Sequence, residues 1–312
     1  MSGNLPSILK FADQTGEYKR QVSTFRDQIE PGSAKFPPAV GRYRLYISHA
    51  CPWANRTAIV RALKNLEKVI DVIAVDYLMT DKGWHFSDPK TTPGSDVEPQ
   101  YNFNYLSELY KKANPNYSGR YTVPVLWDSV NETIVNNESS EIIRMLNTCF
   151  DEFIDNKLNF YPIELQSKID EVNSWIYDDI NNGVYKAGFA TKQNVYEDHC
   201  IKVFKALDKV ENVLLGNNQK YLINDTLTEA DIRLFTTIIR FDPVYVGHFK
   251  CNLKTIQNDY PNIMRWLKNL YFLNGVKETI NMDHIKKHYY MSHLNINPNK
   301  IYSLGGVYKF MQ

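Results

Sequence analysis

The sequence predicts an α/β domain followed by an all-helical domain. Three observations support this prediction: an alternating apolar run at residues 42–48, a β-branched run at residues 69–78, and helical apolar spacing beyond residue 151. A helical pattern separates the first two runs, so strand, helix and strand occur within about forty residues, the length of a βαβ unit. We therefore divide the 312 residues into an N-terminal extension (1–40), an α/β domain (41–150) and a helical domain with a C-terminal tail (151–312).

The first predicted helix, at residues 53–66, begins directly after Cys51 and Pro52. Backbone amides and the helix dipole favour an anion at a helix N-terminus, so the Cys51 thiol should ionise below its unperturbed pKa of about 8.5. Pro52 suits the first helical position because the N–H that it lacks would be unpaired there. Ala54 stands where a dithiol motif has its second cysteine, so we expect a reactive monothiol with an external thiol as its oxidised partner. The alternative is a buried cysteine that only packs.

The next elements of the first domain are predicted from turn residues and apolar runs. Residues 80–116 are turn-rich and polar, with helical spacing only at residues 101–112, and we interpret them as an insertion loop over the surface. Apolar runs at residues 121–127 and 133–135 flank a polar turn and predict a β-hairpin. A cis Val123–Pro124 bond in the first run would let the Val123 backbone face a ligand.

Helices complete the predicted order. Residues 138–146 have an acidic first turn and apolar helical spacing, which predict a helix beginning at Glu138. Thr228 and Asp231 form a Thr-x-x-Asp start signal ahead of an apolar helix, to which we give a structural and not a catalytic role. Four apolar stripes predict the remaining helices: Ile169, Val172, Ile176 and Ile180; Val203, Phe204, Leu207 and Leu214; Leu234, Ile238 and Phe241; and Ile263, Leu267 and Leu270.

Composition argues against several classes of function. The net charge is +1 and no long run of like charge occurs, which opposes nucleic-acid binding. No run approaches the roughly 18 apolar residues that span a bilayer, and the first 25 residues lack an apolar signal core. Widely spaced cysteines predict a reducing, cytoplasmic compartment and no metal site, and we interpret all but the first as packing residues: Cys51, Cys149, Cys200 and Cys251.

Short motifs along nearly the whole chain occur in an order typical of one family. Cys-Pro begins a helix, Val-Pro precedes a hairpin, Glu-Ser begins the next helix, and a capping box lies in the helical domain. Longer characteristic stretches lie at residues 16–29, 48–57, 82–84, 120–128, 136–142, 181–186 and 240–245. Together they resemble the cytosolic glutathione transferases, and within them the xi class, the glutathionyl-hydroquinone reductases related to the omega class. The resemblance implies a thioredoxin-like N-terminal domain, an all-helical C-terminal domain and a homodimer.

The resemblance also implies a glutathione site, with glutathione as co-substrate and no metal. Glu138 and Ser139 would hold the γ-glutamyl group at their helix N-terminus. Val123 would pair its backbone with the tripeptide, Trp84 would pack over the peptide, and Arg120 would reach a carboxylate. The alternative for Trp84 is that its ring only anchors its own loop. The alternative for Arg120 is that it forms an ion pair at the surface. Asn55 departs from the family, which usually has histidine there.

The implied reaction removes glutathione from a glutathionyl-hydroquinone. Cys51 would attack its sulfur to form a mixed disulfide, from which a second glutathione would release oxidised glutathione. Tyr185, Tyr245 and Tyr289 lie in segments that match the family and would bind the quinol oxygens or relay the proton, although each alone could be a packed core tyrosine.

Three other functions remain open. An omega-like thioltransferase or dehydroascorbate reductase would use Cys51 and glutathione without the tyrosines. The partners that the resemblance implies are glutathione and glutathionylated quinols or other small electrophile adducts. A conjugating transferase is disfavoured because the thiol would form mixed disulfides instead of activating glutathione. A non-catalytic ligand-binding protein on the same fold is the third alternative.

Overall fold

The computed structural model describes residues 12–312, which form two compact units. The thioredoxin-like unit comprises Gln21–Asn159 and Asn274–His288, and the helical unit comprises residues 12–20, Phe160–Leu273 and Tyr289–Gln312. Residues 1–11 of the predicted N-terminal extension lie outside the described residues.

The thioredoxin-like unit is built on a four-stranded mixed sheet in the order β2-β1-β3-β4. Strand β1 pairs in parallel with β2 and antiparallel with β3, and β3 pairs antiparallel with β4. The elements in chain order are β1 (Tyr43–Ile47), α1 (Pro52–Leu63), β2 (Asp71–Ala74), α2 (Leu106–Ala113), β3 (Val125–Asp128), β4 (Thr133–Asn136) and α3 (Ser139–Thr148). The predicted βαβ unit, the hairpin and the helix after it are therefore confirmed.

Apart from α2, residues 80–116 form a loop, as predicted, but this loop carries buried side chains and packs within the unit, so the interpretation as a segment lying only over the surface was incomplete. Their side chains cover one face of the sheet: the Tyr46 hydroxyl donates a 2.8 Å hydrogen bond to the buried Glu98 carboxylate, and the Phe86 ring meets the Tyr46 ring edge to face. Asp96 accepts a hydrogen bond from the backbone of Ala74 in β2. Because this segment covers the second face of the sheet, four of the five β1 residues are buried, where the alternating sequence predicted a half-buried strand.

On the N-terminal side, the boundary of the thioredoxin-like unit differs from the predicted domain boundary. Residues 21–40 pack within the thioredoxin-like unit because they carry buried apolar anchors, Ile29 and Phe36. Arg26 adds an ion pair with Glu141 in α3. A sequence boundary at residue 40 therefore separates residues that the fold holds together.

The helical unit consists of helices with apolar faces turned inward, as the four stripes predicted. They are α4 (Gln166–Ile176), α5 (Gly183–Gly188), α6 (Gln193–Lys209), α7 (Glu229–Ile238), α8 (Ile256–Asp259) and α9 (Pro261–Tyr271). Single π-helical turns continue α4 and α6 at Tyr177–Asn181 and Val210–Leu214, and a third follows α7 after two turn residues, at Phe241–Tyr245. The last long helix, α10 (Met282–Ser292), contributes Tyr289 and later residues to this unit.

The predicted capping box at the start of α7 is present and has the structural role assigned to it. The carboxylate of the fully buried Asp231 accepts hydrogen bonds from the backbone N–H and the hydroxyl of Thr228. It also accepts from the Leu222 backbone at 2.9 Å and from the Trp266 indole of α9 at 2.9 Å. One carboxylate thus caps α7 and fastens two neighbouring segments to it.

Candidate active site

Cys51 is the N-cap residue of α1, and Pro52 occupies the first helical position, as the sequence predicted. The Cys51 backbone is extended and its carbonyl accepts the first helical hydrogen bond, from Asn55, at 3.0 Å. The thiol is partly exposed and donates a 3.5 Å hydrogen bond to the carbonyl oxygen of Val123. The sulfur therefore lies where helix amides and dipole favour its ionised form, beside a backbone suited to a peptide ligand.

The backbone at Val123 is fixed by a cis peptide bond to Pro124, which confirms the bond geometry expected from the sequence. Strand β3 begins only at Val125, one residue after the proline, since proline has no N–H to donate to a sheet. The Val123 side chain is buried, and its carbonyl is the acceptor for the Cys51 thiol. The Val123 backbone, which precedes β3, therefore lies beside the Cys51 thiol.

Glu138 and Ser139 begin α3, where the helix dipole favours a carboxylate. Glu138 is the N-cap, and one of its carboxylate oxygens accepts from both the backbone and the hydroxyl of Ser140, at 3.1 and 3.0 Å. The Ser139 hydroxyl is buried and has no hydrogen-bond partner among residues 12–312. A buried, unsatisfied hydroxyl is costly, so this position is suited to the polar end of a ligand.

The segment that precedes β1 also reaches the N-terminus of α3. The Ser23 hydroxyl lies within hydrogen-bond distance of both the second Glu138 carboxylate oxygen, at 3.1 Å, and the Asn137 carbonyl, at 3.2 Å. Gln21 accepts a 2.9 Å hydrogen bond from the Arg120 backbone, and the Arg120 side chain is partly exposed. Residue-by-residue analysis of the sequence missed Ser23, although it lies in one of the stretches on which the family resemblance rested.

Trp84 is buried and makes anchoring contacts within the thioredoxin-like unit. Its ring stacks on the His288 imidazole with centroids 4.6 Å apart, and its carbonyl accepts a hydrogen bond from the Leu106 backbone. His288 is in turn held by a 2.9 Å hydrogen bond to the Tyr77 carbonyl. The anchoring role of Trp84 is therefore present, and its contact with a peptide ligand stays a prediction.

Asn55, the departure from the family pattern, is buried one turn into α1. Its side-chain amide donates hydrogen bonds to the backbone carbonyl and the hydroxyl of Thr279, at 3.3 and 3.0 Å. The asparagine therefore fastens residues 274–288 to the helix that begins at Cys51.

Three tyrosine hydroxyls meet in the helical unit. The Tyr289 hydroxyl is 2.5 Å from that of Tyr185 and 3.0 Å from that of Tyr245. We call these residues the tyrosine triad. Tyr289 and Tyr245 are fully buried, whereas Tyr185 is partly exposed. The structure thus brings together three residues that the sequence analysis named separately, and Tyr185 is the member that solvent reaches.

Burial is the main cause that raises the pKa of Tyr289 well above its ordinary value, and the adjacent phenols add to it. Tyr289 is consequently a neutral phenol at physiological pH. A neutral phenol has one donor and two acceptor sites, so the triad can bind an oxygen of a ligand or pass a proton along its hydrogen bonds.

Aromatic neighbours hold the triad in place. The Phe249 ring stacks on Tyr245 and meets Tyr185 edge to face, both at 5.4 Å between centroids. Gly188 allows this packing, because a Cβ there would overlap the Phe249 ring. Tyr18 stacks on Tyr185 at 5.9 Å, a contact that the sequence analysis missed because residue 18 is remote from the triad in the chain.

No group of three or more histidine, cysteine, aspartate or glutamate side chains is arranged to hold a metal ion within residues 12–312. Within the same range, no helix has the length and apolar character needed to cross a membrane.

Comparisons with known proteins identify the family of this chain. The family models for the glutathione S-transferase N-terminal and C-terminal domains match residues 50–149 and 193–269. The chain is 51% identical to glutathione S-transferase omega-like 2 of Schizosaccharomyces pombe, over 96% of each chain. It is 50% identical to the glutathionyl-hydroquinone reductase YqjG of Escherichia coli K-12, over 93% of this chain and 89% of that one.

Comparisons with solved structures identify the same family. The crystal structure of the glutathione S-transferase Xi from Phanerochaete chrysosporium has a TM-score of 0.91 and 52% identity, over 94% of each chain. The glutathione-bound structure of YqjG has a TM-score of 0.87, covering 90% of this chain and 92% of that one.

Proposed function

This chain belongs to the xi class of the glutathione S-transferases, and on that premise we propose that it is a glutathionyl-hydroquinone reductase. It removes glutathione from glutathionyl-hydroquinones and yields hydroquinone and oxidised glutathione. The observation that carries the proposal is Cys51 at the N-cap of α1, with its sulfur 3.5 Å from the Val123 carbonyl and alanine at position 54. A single thiol in that place favours mixed-disulfide chemistry with an external thiol.

The reaction has two steps, a reductive cleavage of the thioether and a thiol–disulfide exchange. In the first, the Cys51 thiolate attacks the sulfur of the aryl thioether, so that an S–S bond forms and the C–S bond breaks. The aromatic carbon receives the electron pair and a proton, and hydroquinone leaves. In the second, the thiolate of another glutathione attacks the glutathione sulfur of the mixed disulfide, and oxidised glutathione leaves with Cys51 restored as a thiolate.

The glutathione moiety is bound by the thioredoxin-like unit in this proposal. Glu138 and Ser139 receive the γ-glutamyl end, because the α3 N-terminus favours its carboxylate and the Ser139 hydroxyl needs a partner. Val123 pairs with the cysteinyl backbone, beside the thiol that must reach the glutathione sulfur. Trp84 packs over the peptide and Arg120 binds a carboxylate, two roles that rest on the family resemblance.

The tyrosine triad serves the quinol in this proposal. Tyr185, the partly exposed member, donates to a quinol oxygen or delivers the proton, while Tyr289 holds and polarises its hydroxyl and Tyr245 holds the hydroxyl of Tyr289. Burial raises the pKa of Tyr289, so this phenol stays neutral and serves to position the Tyr185 hydroxyl by a hydrogen bond.

The proposal is tested by mass spectrometry of the intact protein after incubation with a glutathionyl-hydroquinone. We expect a glutathione adduct at Cys51 together with free hydroquinone, and loss of both in the Cys51→Ser variant. The Cys149→Ser variant is the matched control, since it removes a partly exposed thiol at the far end of α3. An adduct that forms only from oxidised glutathione would instead identify a thioltransferase, and no adduct from either compound would identify a binding protein.

We further propose that the protein is a cytoplasmic homodimer, as the family resemblance implies. Light scattering of the purified protein should give twice the mass of the 36.3 kDa chain. Fractionation of cells that express the full chain should recover it with cytoplasmic markers. A monomer, or recovery in another compartment, would contradict the respective part of the proposal.

A further inference from the structure

The described part of the helical unit begins with a short hairpin at residues 12–20, which precede the thioredoxin-like unit in the chain. Ala12 and Tyr18 form an antiparallel bridge, and the Asp13 N–H donates a 2.9 Å hydrogen bond to the Glu17 carbonyl. The hairpin is therefore held by its own backbone. We call residues 12–20 the N-terminal hairpin.

Two contacts fasten the turn of this hairpin to the start of α6. Gly16 has a φ of +92°, and a Cβ on it would lie 3.1 Å from the Lys192 Cγ and 3.2 Å from the Thr191 hydroxyl oxygen. Glycine thus both allows the turn and permits the close approach. The Glu17 carboxylate lies 2.8 Å from Nε2 of His199, whose imidazole is buried in α6. The turn of the hairpin is therefore fixed against the helical unit.

Tyr18 follows this turn and packs its ring on two aromatic residues of α5 and its end. The ring centroids are 5.9 Å apart for Tyr18 and Tyr185 and 5.7 Å apart for Tyr18 and Phe189, with planes inclined by 30° and 22°. The Phe249 ring meets Tyr185 edge to face at 5.4 Å. Tyr185 is partly exposed, and such a side chain can change its χ1 rotamer unless its neighbours prevent it. The rings of Tyr18 and Phe249 therefore confine the ring of Tyr185.

The orientation of the Tyr185 ring decides where its hydroxyl lies. That hydroxyl is 2.5 Å from the Tyr289 hydroxyl, which is in turn 3.0 Å from that of Tyr245. A change of the χ1 rotamer would carry the Tyr185 hydroxyl out of hydrogen-bond distance of Tyr289. A proton donor acts only when it lies within such a distance of the atom that it serves.

We propose that Tyr18 is a positioning residue for the removal of glutathione from the quinol. Its ring holds Tyr185 in the rotamer that keeps the Tyr185 hydroxyl on Tyr289 and presents it to the quinol. This role rests on the proposed function, because it requires Tyr185 to act on the quinol. A ring that only filled space would instead affect the stability of the helical unit, whichever reaction is measured.

The test compares two reactions of the full-length protein: hydroquinone release from a glutathionyl-hydroquinone, and reduction of the mixed disulfide of glutathione and 2-mercaptoethanol. Both reactions need Cys51, whereas only the first delivers a proton to an aromatic carbon. Tyr18→Ala should lower kcat/KM for hydroquinone release by about 3–10-fold, the range that corresponds to one aromatic pair, and should leave disulfide reduction within about twofold. Tyr18→Phe keeps the ring and should release hydroquinone at the natural rate.

A matched control and a double-mutant cycle sharpen the test. Phe272→Ala is the control, because it removes an exposed ring that packs on Phe310 in the same unit, and it should keep hydroquinone release within about twofold. The cycle combines Tyr18→Ala with Tyr185→Phe. Since the second change already removes the hydroxyl that Tyr18 positions, the first should cause no further loss in that background.

Three results would overturn the proposal. The first is hydroquinone release at the natural rate in Tyr18→Ala. The second is an equal loss of both reactions in that variant, which would assign the ring a structural role. The third is the same loss from Tyr18→Ala in the Tyr185→Phe background as in the natural protein. A natural protein that releases no hydroquinone would contradict the proposed reductase function, and this role with it, before any variant is compared.

Discussion

The Cys51 site and the tyrosine triad differ in how their chemistry is assembled. The environment of Cys51 comes largely from its own helix, since Pro52 and the first turn of α1 follow it directly. The triad joins positions that are 104 residues apart, for Tyr185 and Tyr289, and 44 residues apart, for Tyr245 and Tyr289. The first kind of site can be found from a short sequence motif, whereas the second depends on how helices pack. Four predictions test this difference.

The largest effect is expected from Cys51→Ser, which replaces the thiol at the N-terminus of α1 by a hydroxyl. A serine oxygen cannot form the mixed disulfide, so hydroquinone release should fall by about 10³-fold or more. Steady-state assays with a glutathionyl-hydroquinone measure this loss, and Cys149→Ser should retain activity within about twofold. Substantial activity in Cys51→Ser would show that the thiol at the α1 N-terminus is not the nucleophile.

The second prediction concerns Tyr289→Phe, which removes the oxygen shared by both hydrogen bonds of the triad. Hydroquinone release should fall by up to roughly 10²-fold, because the Tyr185 hydroxyl that acts as general acid loses the hydrogen bond that holds it, while reduction of a small mixed disulfide by Cys51 should change little. The control is Tyr308→Phe, because Tyr308 is also fully buried in the helical unit and donates to the Ile238 carbonyl. Equal losses in both variants, or a loss in both reactions, would assign the Tyr289 hydroxyl a structural role.

The third prediction compares two cysteines at opposite ends of helices, Cys51 at the N-cap of α1 and Cys149 at the C-cap of α3. Burial raises the pKa of Cys149 to about 11. Because only the thiolate is alkylated, Cys149 should react slowly at neutral pH and faster as the pH rises toward 11, whereas Cys51 should reach its maximum rate with a midpoint below about 8.5. Iodoacetamide labelling across pH, read by peptide mass spectrometry, measures both profiles. Coincident profiles would contradict the lower pKa expected for Cys51 at the N-terminus of α1.

The smallest effect is expected from Asn55→Ala, which removes two hydrogen bonds to Thr279. The free energy of unfolding should fall by about 1–2 kcal/mol, and amide exchange at residues 274–288 should accelerate. Asn131→Ala is the control, since Asn131 makes an exposed hydrogen bond to the Lys35 carbonyl and its loss should cost under about 0.5 kcal/mol. Unchanged exchange at residues 274–288 would mean that other contacts hold the segment.

Most elements of the thioredoxin-like unit were predictable because their sequence signals are local. The apolar alternation predicted β1, Cys51-Pro52 marked the start of α1, and the acidic first turn marked α3. The prediction of a surface loop at residues 80–116 missed the contacts that this loop makes with the sheet: the buried Glu98 accepts a hydrogen bond from the Tyr46 hydroxyl, and Asp96 accepts one from the Ala74 N–H. Sequence polarity predicts solvent exposure only when no buried partner is available, and such a partner is set by tertiary contacts.

The sequence by itself determined the order of helices and strands, the thiol at a helix start and, through its motifs, the family. These features follow from backbone propensities and spacing within a few residues of one another. Only the tertiary structure decided that three tyrosine hydroxyls share hydrogen bonds and that Ser23 contacts Glu138. Contacts between residues far apart in the chain arise from the packing of whole elements, whose free energy is distributed over many apolar side chains and leaves no local pattern.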